Sequence, residues 1–296
     1  MNFQKTFISI ACLLLMCACG GNSVKSKSSF VPKTILEKVD DKQEILQKNI
    51  SGYNIVATLD HHRMAKETGV YTPPSIVNIF SDPNTDVMLV QNNQLLGLDL
   101  PFKILCYAEV DTLDAKIAYT SAEFIQKRHN LKTSVIEGYK SKINELIKLF
   151  PSESIVNTDV SSVNKGFGIV SIKSDFDYMN TINRLKDVVM LQGDTKWFGE
   201  LDYKKEAISL GLELNPTILL LFGGPAPGGK AMVNSPKIGL DAFCQKLLVY
   251  ETDNGEVWVA YNDIVAFAEL YYKQSTKPQQ MINKRLKMTF TKAVKK

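Results

Sequence analysis

Residues 59–99 read LDHHRMAKETGVYTPPSIVNIFSDPNTDVMLVQNNQLLGLD, and residues 201–241 read LDYKKEAISLGLELNPTILLLFGGPAPGGKAMVNSPKIGLD. At a constant offset of 142 the two stretches share Leu59/Leu201, Asp60/Asp202, Ala65/Ala207, Gly69/Gly211, Pro74/Pro216, Phe80/Phe222, Pro83/Pro225 and Asn92/Asn234. Both close on Gly-Leu-Asp, at Gly97-Leu98-Asp99 and Gly239-Leu240-Asp241. One extra residue then moves the offset to 143 for Lys103/Lys246 and Tyr107/Tyr250, and it returns to 142 for Ala118/Ala260 and Tyr119/Tyr261. Two copies are too few for a solenoid, so the chain is a tandem duplication of one domain.

The second copy is the easier to read. Gly168 to Ile172 is β-rich, and Asp175 to Met190 places Tyr178, Ile182, Leu185 and Val189 at helical spacing. Trp197 to Leu201 is a strand; Asp202 caps a short helix from Tyr203 to Leu210, which Gly211 ends. Thr217 to Phe222 is a continuous apolar run of strand length. Residues 224–241 read as a loop. Leu247 to Glu251 and Glu256 to Tyr261 flank Thr252-Asp253-Asn254-Gly255, a hairpin turn. Asn262 or Asp263 caps a last helix to about Lys273. The order predicts an α+β fold: two tandem two-layer domains, each a mainly antiparallel sheet with helices on one face. The first copy follows the same order, with an opening strand near Ser28 to Val31 and a hairpin turn at Asp111 to Asp114. Thr133 to Phe150 adds an amphipathic helix, and Ser152 to Lys165 is a polar linker. The expected parts are residues 1–18 and 19–32 as leader and tether, 33–131 as the first repeat, 132–166 as helix and linker, 167–273 as the second repeat, and 274–296 as a basic tail.

Charge narrows the function classes. The net charge of +4 is uneven: Leu270 to Lys296 holds eight basic residues and no acid, so the rest carries 27 basic against 31 acidic residues, a net of −4. The body is acidic, which argues against a nucleic-acid-binding surface. The tail is expected either to be solvated and disordered or to lie on an anionic membrane surface through Met281, Ile282, Leu286, Met288 and Phe290.

Met1 to Cys19 has the three parts of a secretory signal: Lys5, the apolar run Phe7 to Met16, and a small-residue end. Met16-Cys17-Ala18-Cys19 resembles the lipobox of bacterial lipoproteins, with Cys19 the lipidated residue because Ala18 precedes it. Gly20 to Ser29 is a flexible tether without acidic residues. The expectation is a protein anchored to the bacterial cell envelope, on the outer membrane facing the periplasm. Cys106 and Cys244, the remaining thiols, are expected to be buried and free.

Gly211-Leu212-Glu213-Leu214-Asn215-Pro216-Thr217, Leu221-Phe222-Gly223, Ile238-Gly239-Leu240-Asp241 and Val257-Trp258-Val259-Ala260-Tyr261-Asn262-Asp263 resemble the domain of unknown function 302 family. In the first copy Leu59-Asp60-His61 and Leu96-Gly97-Leu98-Asp99-Leu100-Pro101-Phe102-Lys103 do so. The resemblance implies a TATA-binding-protein-like topology and, since single-domain members look dimeric, a monomer folded as a pseudo-dimer. It implies no chemistry.

Candidate ligand-binding residues are those that recur: Asp60, Asp99, Lys103, Tyr107 and Tyr119, with Asp202, Asp241, Lys246, Tyr250 and Tyr261. His61 and Asn262 join them, although their partners are Tyr203 and Thr120. Lys and Tyr four residues apart on one strand share a face. The structural readings are N-caps for Asp60 and Asp202, turn formers for Asp99 and Asp241, and half-buried core for the tyrosines. Gly224 to Ala231 nearly spells a P-loop, but Ala231 replaces the hydroxyl residue that motif needs and Asn234-Ser235-Pro236 breaks a helix, so an ordinary turn is expected. His61 and His62 are adjacent and His129 is remote, a poor chelating pattern; no metal and no cofactor are expected. The sequence favours a small-molecule binding module, with a structural lipoprotein docking a protein partner as the alternative. No nucleophile-base pair supports an enzyme.

Overall fold

The computed structural model describes residues 32–110 and 112–296. Cys19, the opening strand near Ser28 to Val31, and Asp111 of the first hairpin turn lie outside the described residues. The first repeat runs α1 (Ile35–Asn49), β1 (Asn54–Asp60), α2 (His61–Glu67), β2 (Ser75–Ser81), α3 (Pro83–Asn92), β3 (Phe102–Tyr107), β4 (Lys116–Tyr119), α4 (Ala122–His129) and α5 (Thr133–Ile147). The second runs β5 (Ile169–Lys173), α6 (Tyr178–Met190), β6 (Lys196–Asp202), α7 (Tyr203–Ser209), β7 (Thr217–Gly223), α8 (Pro225–Met232), β8 (Gln245–Glu251), β9 (Val257–Asn262), α9 (Ile264–Tyr272) and α10 (Lys277–Val294).

Local chemistry sets the helix starts. The Thr34 hydroxyl accepts from the Glu37 N–H while the Glu37 carboxylate accepts from the Thr34 N–H, a reciprocal cap at α1. Asp60, Asp202, Asp177 and Asp263 cap α2, α7, α6 and α9 in the same manner, each accepting from a backbone N–H three residues on.

The sheets are antiparallel, in the orders β1-β2-β3-β4 and β5-β9-β8-β7-β6. Each central strand is buried on both faces, which is why β2, β3 and β7 read as apolar runs without alternation. One face lies under the repeat's own helices: Phe102 stacks on Tyr139 of α5 with ring centroids 4.5 Å apart, and Phe222 and Tyr261 pack against Phe290 of α10. The other face meets the other repeat, as in the 2.8 Å ion pair from Lys103 on β3 to Asp241. Helices on one face and a sister repeat on the other make the pseudo-dimer.

The edge strands β1 and β6 carry the same β-bulge, at Ile55/Ala57 and at Trp197/Gly199. There the two sheets approach closely enough that a Cβ on Gly199 would lie 2.9 Å from the Val56 carbonyl oxygen.

Three expectations need correction. The stretch after β2 and β7 is helical in both copies, as α3 and α8. Pro83 and Pro225 sit in the first helical turn, where a missing N–H is harmless. The near-P-loop glycines serve packing: a Cβ on Gly229 would lie 2.7 Å from Ala65 of α2. The basic tail is not disordered. It is α10, which buries Leu286, Phe290, Ala293 and Val294, and α5 is its counterpart in the first repeat, so neither helix is an appendage. Residues 152–165 are not a free linker either. Ile155 bridges to Ile117 on the edge strand β4, in the place where β5 pairs with β9 in the second repeat, and Val160 and Val163 are buried.

Candidate functional site

The recurring Gly-Leu-Asp segments meet at the seam between the repeats. Tyr203 donates its hydroxyl to the Gly97 carbonyl across the seam at 3.1 Å, and a Cβ on Gly97 would lie 3.0 Å from the Tyr203 ring. The counterpart ring, His61, packs against Gly239, where a Cβ would lie 3.1 Å from its Cδ2. Glycine recurs here because packed side chains occupy the Cβ space: Leu248 at 2.8 Å and then the Tyr203 ring at Gly97, Met232 at 2.9 Å and then the His61 ring at Gly239.

The aspartates that follow are buried acceptors rather than turn formers. The Arg128 guanidinium donates to Asp99 at 2.6 Å, to the Asn262 side-chain oxygen at 2.7 Å and to the Phe167 carbonyl at 2.7 Å. His129 lies 2.6 Å from the other Asp99 oxygen. Asp241 pairs with Lys103 at 2.8 Å and accepts from the Tyr271 hydroxyl at 2.5 Å and from Thr120 at 3.2 Å. Lys246 donates to the backbone carbonyls of Asp241 and Cys244 at 3.2 and 3.3 Å. His129 and Tyr271 occupy equivalent positions and serve equivalent aspartates. Burial alone would raise the Asp99 carboxyl; Arg128, then His129 and Lys103, more than reverse it and hold the group below the usual range. Asp241 is likewise lowered, against burial, by Lys103 and Lys246. Burial, helped by Lys103, brings Lys246 down to about 8.

The structure thus joins Asp99, Lys103, Asp241, Lys246 and Asn262, and it adds Arg128, His129 and Tyr271, which sequence reading missed. His129 and Tyr271 differ in type, so self-similarity could not flag them. Asp60 and Asp202 stand apart as N-caps. Tyr119 and Tyr261 point to the helix face, not the seam: Tyr261 packs on Phe290, and the Tyr119 hydroxyl reaches Asn157 at the rim. Tyr107 is buried beside Glu109.

Beside this network lies an open cleft of about 850 Å³. One wall is Gln91 to Leu95 of the first repeat; the other is Lys204, Ile208, Leu212 to Asn215, Tyr250, Thr252 and Asp253 of the second. Cross-seam bonds fix the walls: Gln91 to the Glu213 carbonyl at 2.7 Å, and Gln94 to Thr217 at 2.8 Å and to the Glu251 carbonyl at 3.0 Å. At the pseudo-equivalent place Lys237, Tyr107 and Glu109 stand for Leu95, Tyr250 and Thr252. There the Tyr272 hydroxyl donates to the Glu109 carboxylate at 3.0 Å and accepts from the Lys237 N–H at 2.8 Å, bridging the two walls. Asn130 is the counterpart of Tyr272 and is far shorter.

Two pseudo-equivalent places lie beside the seam, of which one is a small pit. In one, Asp86 is fully buried with both carboxylate oxygens unpaired, and Ser81 approaches Glu206 at 3.4 Å. Burial, with Glu206 adding, raises the Asp86 carboxyl far above its usual range. The other is lined by His61, Met64, Phe198, Phe243 and Cys244 and the glycines at the start of α8.

The model of the family described as "Domain of unknown function DUF302" matches twice, at residues 27–150 and 170–293. The chain belongs to the DUF302 family. The two matches take in α5 and α10, as the packing does. Among curated proteins, the chain is 31% identical over 188 residues to "Fluoride-specific ion channel FluC 2" of Brucella melitensis biotype 1, covering 60% of this chain and 64% of that protein. It is 31% identical over 92 residues to "Fluoride-specific ion channel FluC 1" of Brucella suis biovar 1, covering 31% of this chain and 36% of that protein. The chain therefore spans less than two thirds of the length of either relative. No described helix is long and apolar enough to cross a membrane. A solved structure of an uncharacterised conserved DUF302 protein from Bacillus stearothermophilus aligns with a TM-score of 0.36 at 14% identity, covering 43% of this chain and 95% of that one.

Proposed function

We propose that this DUF302 chain is an exported binding module, lipid-anchored through Cys19 at the periplasmic face of the outer membrane, whose two repeats form one cleft for a small hydroxyl-rich ligand. The observation that carries the reading is the lining of the open cleft. Gln91, Asn92, Asn93, Gln94 and Asn215 supply carboxamides, of which Gln91, Gln94 and Asn215 already donate within or between the walls, beside Tyr250 and the aliphatic Leu95, Ile208 and Leu212. Such a lining suits hydroxyl groups, which also donate and accept, on a partly apolar ring. The buried Asp–Lys–Arg network is the frame that holds the walls, and it does not contact the ligand.

Native mass spectrometry of the chain purified from envelopes tests the reading. The expected result is a monomer carrying one reproducible adduct, lost in Tyr250→Ala and in Asn92→Ala. A clean mass with no adduct, and none on addition of envelope saccharides, overturns it. A Cys19→Ala variant tests the anchor: it should leave the membrane fraction and lose the acyl mass.

One observation favours a second reading, partner docking. A groove of about 440 Å³ between α6 and α10, lined by Arg184, Val188, Leu191 and Lys292, leaves Leu191 83% exposed.

A further inference from the structure

The pit and its pseudo-equivalent place in the other half are equivalent by position and opposite in chemistry. Tyr203, Glu206, Ser81 and Asp86 in one correspond to His61, Met64, Gly223 and Gly228 in the other. The first is all oxygen. The second has lost every carboxylate and hydroxyl and gained an imidazole and a thioether, and Cys244 adds a thiol where the first repeat has Pro101-Phe102.

We infer that the pit lined by His61, Met64 and Cys244 binds one soft monovalent metal ion, Cu(I). Four observations converge. His61 and Met64 lie three residues apart on α2, which places them on one side of the helix, and Cys244 closes the pit from the start of β8. The buried His61 ring has no side-chain hydrogen-bond partner, and the edge that carries Nε2 lies against Gly239. The room is about 20 Å³, enough for one water-sized body and too little for an organic ligand. The ligand set is nitrogen, thioether and thiol, the soft combination that prefers Cu(I) to hard cations.

Charge selects the monovalent ion. The lining of the pit contains no carboxylate and no ammonium. When Cu(I) enters, the S–H bond breaks, a Cu–S bond forms and the proton leaves to solvent. The pit is neutral before and after. A divalent ion would leave one positive charge uncompensated in a buried site beside Lys246, whose side chain donates to the Cys244 carbonyl at 3.3 Å. Adjacent His61 and His62 hid this set in the sequence, because the partners are a thioether three residues on and a thiol in the other repeat.

The test uses the full chain with Cys12, Cys17, Cys19 and Cys106 each replaced by alanine, so that Cys244 is the one thiol. Under anaerobic conditions Cu(I) is offered against the chromophoric chelator bicinchoninate. The expected result is one equivalent of Cu(I) withheld, an affinity at least about tenfold weaker in Met64→Leu, and none withheld in Cys244→Ala. Leucine matches methionine in volume, so the Met64→Leu chain should melt as the parent does, which separates lost ligation from lost folding. X-ray absorption at the copper edge should show sulfur and nitrogen neighbours. A parent chain that yields all its Cu(I) to the chelator, or variants that withhold as much as the parent, overturns the assignment.

Discussion

Lys103 of the first repeat and Asp241 of the second lie 2.8 Å apart with neither side chain more than 1% exposed. This ion pair crosses the seam, so each repeat supplies the counter-charge for the other. A buried pair is costly to break singly, because the partner left behind is an unpaired charge. Lys103→Met and Asp241→Asn should each destabilise the chain by about 3–5 kcal/mol. The double variant should cost clearly less than their sum. Urea denaturation of the four chains measures the coupling, and simple additivity would show that the pair contributes nothing specific.

Acid should weaken the seam at His61. Burial holds the folded ring's pKa at about 4, against 6.5 for the free side chain. The unfolded chain therefore takes up a proton between pH 6.5 and 4 that the folded chain refuses. The His61 contribution is intact above pH 6.5 and falls as the pH drops to 4, by about 3 kcal/mol in all. His61→Tyr, which copies Tyr203 of the other repeat, should lack this part of the acid loss. Denaturation of both chains at pH 7 and pH 4 gives the difference; an equal loss in both would sink the idea.

Glycine substitutions should separate two kinds of position. At Gly199 an added Cβ meets the Val56 backbone oxygen at 2.9 Å, which cannot rotate away, so Gly199→Ala should cost about 1–3 kcal/mol. At Gly138, on the exposed side of α5, an added Cβ meets nothing within 4 Å, and Gly138→Ala should raise stability by about 0.5–1 kcal/mol. Thermal melts of the two variants should move in opposite directions.

The C-terminal helix should be indispensable. Phe290 is fully buried between Phe222 and Tyr261, so Phe290→Ala should cost about 3–5 kcal/mol. Removing residues 274–296 should strip the helix face of the second sheet and leave the chain unable to give a cooperative melt. A truncated chain that melts like the parent would refute this.

Much of the fold was legible because the duplication let one copy annotate the other. The Asn254-Gly255 turn fixed the β8–β9 hairpin, Asp202 marked a helix start where a helix begins, and of the two caps open for the last helix, Asn262 and Asp263, the structure uses Asp263. Helices α3 and α8 escaped because Pro, Gly and Asn read as breakers when their packing against α7 and α2 is unknown. The α10 helix escaped because its charge reads as solvation, although Leu286 and Phe290 are buried while Lys277, Lys284, Lys287 and Lys292 stay exposed. The seam network was half visible: Asp99/Asp241 and Lys103/Lys246 recur, but Arg128 aligns with Leu270 and leaves no trace in the repeat. Nothing in one sequence shows that an aspartate after glycine is buried.

Covalent fusion of the repeats has a consequence for inheritance. In an assembly of two identical single-repeat chains, a residue change would appear at both equivalent places at once, and neither could specialise without altering the other. Here position 64 can be methionine while its counterpart, position 206, remains glutamate, and Asn130 can leave one cleft open while Tyr272 bridges its twin. One gene encoding both halves turns a symmetric interface into two independently selectable sites.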